Sequence, residues 1–79
     1  MANYIKGGFI MPLTMAKAGE MNFIKKITGK DDTRRFLKNL GFVEGESVTV
    51  ISEIAGNMIL NIKDTRVALD KSIANRIMV

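Results

Sequence analysis

The sequence predicts a mostly β protein, a small and strongly bent β-sheet or barrel of about five short strands with one short helix. The chain has 79 residues, which suffices for one small domain. Beyond residue 46 apolar residues alternate with polar ones, and turn-forming residues separate the alternating segments. Only one segment, directly after residue 30, has apolar residues at helical spacing. A barrel suits so small a chain because closure removes sheet edges that would pair with other chains.

The first strand is predicted within residues 20–28, whose composition is typical of a strand. Its apolar residues Met21 and Phe23 are followed by Ile24 and Ile27, so the side of the strand that they occupy changes midway. This change indicates a bulge or a strand contacted on both sides. We therefore place Met21 and Phe23 in the core.

The helix is predicted to begin near Asp31 and to end at Gly41. Three consecutive side chains can cap its first turn: Asp31, Asp32 and Thr33. Phe36, Leu37 and Leu40 lie at positions i, i+1 and i+4 and form its apolar face. We expect this face to pack on the sheet, with Phe36 in the core.

Four further strands are predicted after the helix. Residues 42–46 form the predicted turn out of the helix, and residues 55–57 and 63–66 form predicted turns between successive strands. One face of the alternating segments carries Val48, Val50, Ile54, Met58, Leu60, Ile62, Val67, Leu69, Ile77 and Val79. Because Met58 directly follows a turn, we expect it to be the most exposed of these residues. Asp70 can cap a short helical turn over residues 71–74 near the C-terminus.

We expect residues 1–12 to be a loosely ordered N-terminal extension and residues 13–79 to form the single domain. An apolar stretch followed by Ala16, Lys17 and Ala18 has some features of a signal peptide, but Pro12 interrupts it. No segment approaches the roughly 18 apolar residues that could span a bilayer. These features favour a cytoplasmic protein without direct membrane insertion.

The composition excludes most catalytic chemistry, because the chain has no histidine, cysteine or tryptophan. Thiolate nucleophiles and zinc–cysteine sites are excluded, and the hydroxyl side chains lack a histidine base. We therefore predict no enzyme activity and no cofactor. The net charge is +4, but no run of Lys or Arg exceeds two residues, which argues against a nucleic-acid partner.

Two carboxylates, Glu44 and Glu46, share the predicted turn around Gly45. A calcium site needs about six to eight oxygen ligands, so an isolated pair on a turn does not predict one. Ferrous iron is suited by imidazole, which this chain cannot supply. The sequence therefore predicts no metal site.

An ordered set of residues carries a family resemblance. In chain order it comprises Leu13, Ala16, Gly19, Ile24, Ile27, Arg35, Leu37, Leu40, Gly41, Phe42, Gly45, Val48, Val50, Val67, Ala68, Leu69, Asp70, Ala74, Ile77 and Val79. With this order and spacing, residues 13–79 resemble the ferrous iron transport protein A (FeoA) family. Glu44 and Asn57 depart from the pattern, since relatives often carry proline at these turns.

The resemblance implies an SH3-like small β-barrel, similar to the C-terminal domain of iron-dependent repressors. The helix then follows the first strand, and Gly41 and Gly45 set the turn out of it. Residues expected to maintain this structure are Gly19, Leu37, Leu40, Gly41, Gly45, Val48, Val50, Ala68, Leu69 and Ile77. The resemblance also implies a cytosolic accessory role beside the membrane ferrous iron transporter, protein B, whose cytosolic part is a GTPase domain.

We predict that an exposed surface docks on that cytosolic domain. The candidate contacts are Met15, Arg34, Arg35, Lys38, Phe42 and Met58. The three cations would form a cationic helix face suited to an acidic partner, and Phe42 would be exposed just past the helix. Met15 could instead pack the N-terminal segment onto the barrel.

Two alternatives remain open at this point. One is a metal-responsive module, because the family is associated with transition-metal binding. The other is a nucleic-acid-binding barrel. Weak self-association is also left open.

Overall fold

The structure, a computed structural model, describes residues 10–79 and forms six strands, two α-helices and a 3₁₀ turn within them. The strands are β1 (Met21–Phe23), β2 (Lys26–Ile27), β3 (Ser47–Ile54), β4 (Asn57–Ile62), β5 (Thr65–Asp70) and β6 (Ile77–Met78). The helices are α1 (Asp31–Asn39) and α2 (Lys71–Ala74), and the 3₁₀ turn is Leu13–Met15. A mostly β chain with a short helix after the segment predicted as the first strand is thus confirmed. For residues 1–9 the prediction of a loosely ordered extension lies outside the described residues.

The strands form two antiparallel sheets, one with the order β1-β3-β4-β5 and one of β2 with β6. The predicted first strand, 20–28, is therefore two strands, because its first half pairs with β3 and its second half with β6. Ile24 lies between the halves and is buried, and its N–H donates to the carbonyl of Glu46 at 2.9 Å. The midway change in apolar side thus reflects a move from one sheet to the other.

The two ends of the described chain are hydrogen-bonded to each other. The N–H of Met11 donates to the Val79 carbonyl at 2.9 Å, and the N–H of Val79 donates to the Met11 carbonyl at 2.8 Å. Pro12 forms a bridge with Met78, which is also paired with β2. Strand β6 therefore lies between β2 and residues 11–12.

A single apolar core connects both sheets and α1. Its buried side chains are Leu13, Ile24, Leu37, Phe42, Val48, Val50, Met58, Leu60, Ile62, Leu69, Ala74, Ile77 and Val79. Most of the alternating residues predicted to face the core do so. Leu40, predicted on the apolar face of the helix, is partly exposed, because α1 ends at Asn39 and buries only Leu37.

The end of α1 places Phe42 in the core, so the prediction that Phe42 is exposed is wrong. Gly41 has φ 107°, in the left-handed region that favours glycine. The N–H of Gly41 donates to the carbonyl of Lys38 at 3.0 Å, and that of Phe42 to the carbonyl of Leu37 at 3.0 Å. This pair of bonds is a Schellman motif, which brings the residue after the glycine against the last helical turn. The Phe42 side chain is 0% exposed as a result.

The prediction that Met58 is exposed is also wrong. Met58 is the second residue of β4, and its pairing with Leu69 on β5 turns its side chain into the core. It is 3% exposed. Alternation along a strand therefore decides its burial, and closeness to a turn does not.

Three aromatic or thioether side chains predicted in the core are exposed: Met21, Phe23 and Phe36. Met21 is paired with Thr49, and Phe23 with Ser47. Directly opposite residues share a face, and this face of β3 is the one opposite to the buried Val48. Phe36 is exposed because only Leu37 of α1 reaches the core.

Strand β3 contains an irregularity that changes its orientation. The register with β4 shifts between Val50 and Ser52, so Ile51 is an extra residue. Ile54 is consequently paired with Asn57 and is 61% exposed. The prediction that Ile54 shares the buried face of Val48 is wrong, because an extra residue moves every later side chain to the opposite face.

The two predicted hairpin turns are confirmed. Ala55 and Gly56 connect β3 to β4, and Lys63 and Asp64 connect β4 to β5. All four residues have positive φ, as a two-residue type I′ turn requires.

The two helices begin differently. Asp70 caps α2 as predicted, since its Oδ1 accepts the N–H of Ser72 at 2.8 Å and the hydroxyl of Ser72 at 2.9 Å. At α1 the N-cap residue is Lys30, and no side chain caps the helix. The predicted capping by residues 31–33 is wrong because these residues already belong to the first helical turn.

The burial of Phe42 and the exposure of Phe36 predict different losses of stability when each is replaced by alanine. Phe42→Ala should lower the free energy of unfolding by about 3–5 kcal/mol, because it leaves a cavity in the core. Phe36→Ala, with a side chain that is 51% exposed, should change it by at most about 1 kcal/mol. Urea unfolding followed by circular dichroism measures both. Equal losses for the two variants would contradict the burial of Phe42.

The cap of α2 predicts a pH-dependent contribution to stability. Hydrogen bonds from the backbone N–H and hydroxyl of Ser72 lower the pKa of Asp70 from its usual 3.8. Because the folded pKa is the lower one, this contribution is present above the unfolded pKa and is lost as the pH falls through the folded pKa. Asp70→Ala should therefore be less stable than the wild type at neutral pH, and the difference should shrink in acid.

Thermal unfolding from neutral pH down to about pH 3 measures this difference. Glu20→Ala, which removes an exposed carboxylate outside any helix cap, serves as the control and should show no such convergence. A difference between Asp70→Ala and the wild type that stays constant with pH would contradict the role of the charged cap.

Candidate functional site

A groove lies between helix α1 and the loop that follows it. Its volume is about 520 Å³. We call it the α1 groove, and its lining residues are Ile27, Asp31, Arg34, Arg35, Lys38, Phe42, Val43 and Glu44. The groove therefore contains all three cations that the sequence predicted as a cationic helix face.

Helical spacing brings the cations together. Lys38 follows Arg34 by four residues and Arg35 by three, which brings the three side chains to one side of α1. The Arg34 guanidinium lies 3.9 Å from the Asp31 carboxylate, and that of Arg35 lies 3.4 Å from Asp32. Exposed pairs of this kind contribute about 0–1 kcal/mol each, so they are easily exchanged for a partner's carboxylate. Lys38 forms no ion pair with any residue in the described part of the chain.

The floor of the groove is apolar. Phe42 is fully buried beneath it, and Ile27 and Val43 are partly buried. The lining residues include three cations and two carboxylates, those of Asp31 and Glu44. A cationic rim above an apolar floor suits an extended segment that carries both carboxylates and an apolar side chain.

The structure separates the other two predicted contact residues from this groove. Met58 lies in the core and contributes nothing to the surface. Met15 is 68% exposed at the end of the 3₁₀ turn and does not line the groove. Phe42 does line it, but as the buried floor.

The outer face of the four-stranded sheet carries an exposed apolar surface that was not predicted from the sequence. Its exposed members are Met21, Phe23, Ile51 and Ile54. The extra residue at Ile51 turns Ile54 to this side, and the pairing of β1 with β3 brings Met21 and Phe23 there. The apolar Ile51 followed by the polar Ser52 could have signalled the bulge, because these two residues break the alternation of β3.

Within residues 10–79, no group of three or more Asp or Glu side chains comes close enough to hold a metal. In the turn around Gly45, the carboxylate of Glu46 lies 3.7 Å from the ammonium of Lys63. Neither α1 nor α2 has the length and apolar character needed to cross a membrane.

Comparison with known proteins identifies the family. The family model of the FeoA domain matches residues 11–79. No curated protein matches the chain. A crystal structure of an iron uptake regulatory protein, FeoA, is 27% identical with a TM-score of 0.82, covering 90% of this chain and 95% of that one.

Two further structures extend the comparison. FeoA from Stenotrophomonas maltophilia, an SH3 domain protein solved in complex with zinc, is 26% identical with a TM-score of 0.75, covering 85% of this chain and 86% of that one. A manganese-dependent transcriptional repressor has a TM-score of 0.80 at 20% identity. That match covers 89% of this chain and 40% of the repressor, and it shows a shared fold. With nearly all of its described residues matched by the family model, the chain belongs to the FeoA domain family and has an SH3-like fold.

Proposed function

We propose that this protein is a small, non-enzymatic accessory protein of ferrous iron uptake that docks through the α1 groove on the cytosolic GTPase region of the membrane ferrous iron transporter. Membership of the FeoA family implies an accessory role in ferrous iron transport. The transporter as partner, the docking surface and a cytoplasmic location are parts of the proposal.

The observation that carries the proposal is the gathering of three cations over an apolar floor. Arg34, Arg35 and Lys38 lie on one side of α1, and each cation lines the same groove. The whole chain carries a net charge of +4, so its field favours an acidic partner at long range. Ile27 and Val43, which are partly exposed, add apolar surface that a bound segment would remove from water.

The groove also explains how docking could be selective. Charges at the rim of an interface mainly set the association rate and the choice of partner. Apolar contacts at its centre supply most of the affinity. In the α1 groove these two parts are contributed by α1 and by the loop that the Schellman motif directs beneath it.

A capture experiment with the immobilised cytosolic region of the transporter tests this proposal. Lys38→Glu should weaken capture about tenfold, because it reverses a rim charge that has no ion-pair partner among residues 10–79. Lys17→Glu is the matched control: it makes the same charge change at an exposed position outside the groove and should bind as the wild type does. Higher salt should weaken capture of the wild type.

Two outcomes would contradict the proposal. If folded wild-type protein is not captured, the transporter's cytosolic region is not its partner. If Lys17→Glu and Lys38→Glu lose binding equally, the α1 groove is not the docking surface. Phe42→Glu and Met58→Glu are unsuitable as surface variants because both side chains lie in the core.

The two alternative functions stay predictions. A metal-responsive module needs ligands, and among residues 10–79 no three or more Asp or Glu side chains group closely enough to hold a metal ion. Calorimetry with ferrous or manganous ion tests it directly. Nucleic-acid binding would require salt-sensitive retention on RNA or single-stranded DNA.

A further inference from the structure

Strand β5 forms an open edge of the four-stranded sheet. It is last in the strand order, and β4 is its only strand neighbour within residues 10–79. Its six residues contain neither proline nor glycine, and its register with β4 has no bulge. A regular edge strand of this kind presents a row of backbone groups to which another strand can bind.

The hairpin turn determines which backbone groups of β5 face outward. Because a two-residue loop joins β4 to β5, Ile62 and Thr65 form a hydrogen-bonded pair. Hydrogen-bonded and non-bonded pairs alternate along an antiparallel ladder. The N–H and C=O groups of Arg66, Ala68 and Asp70 therefore point away from β4, towards the open edge.

The side chains of these three residues share the outer face of the sheet. They are paired with the residues of β4 that alternate with its buried side chains, and all three are exposed. Arg66 and Asp70 are four residues apart along the strand, about 13 Å, so they cannot pair with each other. Neither forms an ion pair with a residue in the described part of the chain.

The spacing of these charges is symmetric about Ala68. When two β5 strands pair antiparallel about a twofold axis at Ala68, Arg66 of each copy lies opposite Asp70 of the other. In such a hydrogen-bonded pair the Cα atoms are about 5.5 Å apart, within reach of an ion pair. The bonds from Ser72 both end on Oδ1 of Asp70, which leaves Oδ2 to accept the guanidinium.

Two of the other symmetric registers are disfavoured. A twofold axis at Arg66 sets two arginines against each other, and one at Asp70 sets two carboxylates against each other. Like charges directly opposite each other destabilise a strand pair. Charged side chains on an edge strand often prevent pairing altogether, but opposite signs at symmetric positions become attractive in the register centred on Ala68.

We propose that the chain forms a twofold-symmetric dimer by antiparallel pairing of two β5 strands centred on Ala68, with reciprocal Arg66–Asp70 ion pairs. The occupant of this edge is a second copy because the strand is complementary in charge to itself. The contact is small, so the dimer is weak and depends on protein concentration. No residue of the α1 groove belongs to β5, so this proposal is independent of the proposed docking.

Sedimentation of the purified chain at increasing concentration and low salt tests the proposal by a charge exchange. Arg66→Asp should dimerise about tenfold more weakly, because it places like charges opposite each other in both pairs. Asp70→Arg should do the same. An equimolar mixture of the two variants should regain association, because two carboxylates of one variant then face two guanidinium groups of the other. Lys17→Asp carries the same charge change as Arg66→Asp and should dimerise as the wild type does.

Ala68→Pro tests the backbone contact separately. It removes an N–H that points away from β4, so the existing sheet keeps its hydrogen bonds while the pairing at the axis is lost. Circular dichroism shows whether Asp70→Arg folds. If it does not, Ala68→Pro still tests the pairing of the two β5 strands. A wild type that stays monomeric at every concentration overturns the proposal. Unchanged dimerisation of Ala68→Pro, or a mixture of folded charge variants that does not associate, overturns it as well.

Discussion

The turn at Gly41 is the constraint on which most of the described structure depends. Its positive φ lets the chain reverse directly after α1, and the two hydrogen bonds to Leu37 and Lys38 hold that reversal. Phe42 is thereby placed beneath the helix, where it joins Leu37 in the core. Because one apolar residue of α1 reaches the core, the contact with Phe42 is central to how the helix is anchored. The same reversal forms the floor of the α1 groove.

Anchoring the helix by so few residues leaves its other faces free. The cations lie to one side of Leu37, while Phe36 remains exposed. In a chain of 79 residues the core is small, and an α1 buried on several sides would have no surface left for a partner. Because α1 packs on the core through Leu37 alone, the core stays small and the cationic face of the helix stays accessible.

The outer face of the four-stranded sheet is apolar in part because of the bulge in β3. The bulge in β3 moves Ile54 outward, and together with Met21 and Phe23 it creates an apolar outer face. Strand β5, at the edge of the same sheet, has no bulge and no second strand neighbour among residues 10–79. One side of the molecule thus presents charge on a helix, and another presents strand backbone with charges of both signs. Contacts with two different partners could use these surfaces without competing for residues.

Local chemistry in the sequence determined the strand alternation, the hairpin turns, the end of the helix and the order of motifs that marks the family. These features depend on neighbours within a few residues, so periodicity and turn preferences suffice to predict them. Met21 and Phe23 were placed wrongly because their exposure depends on which distant segment pairs with them. Phe42 and Met58 were placed wrongly although local features, the turn at Gly41 and the alternation of β4, direct them into the core. The tertiary structure alone decided that residues 20–28 divide between two sheets and that β5 has no second strand neighbour among the described residues. Pairing between segments far apart in the chain sets those outcomes, and the preferences of single residues carry no information about it.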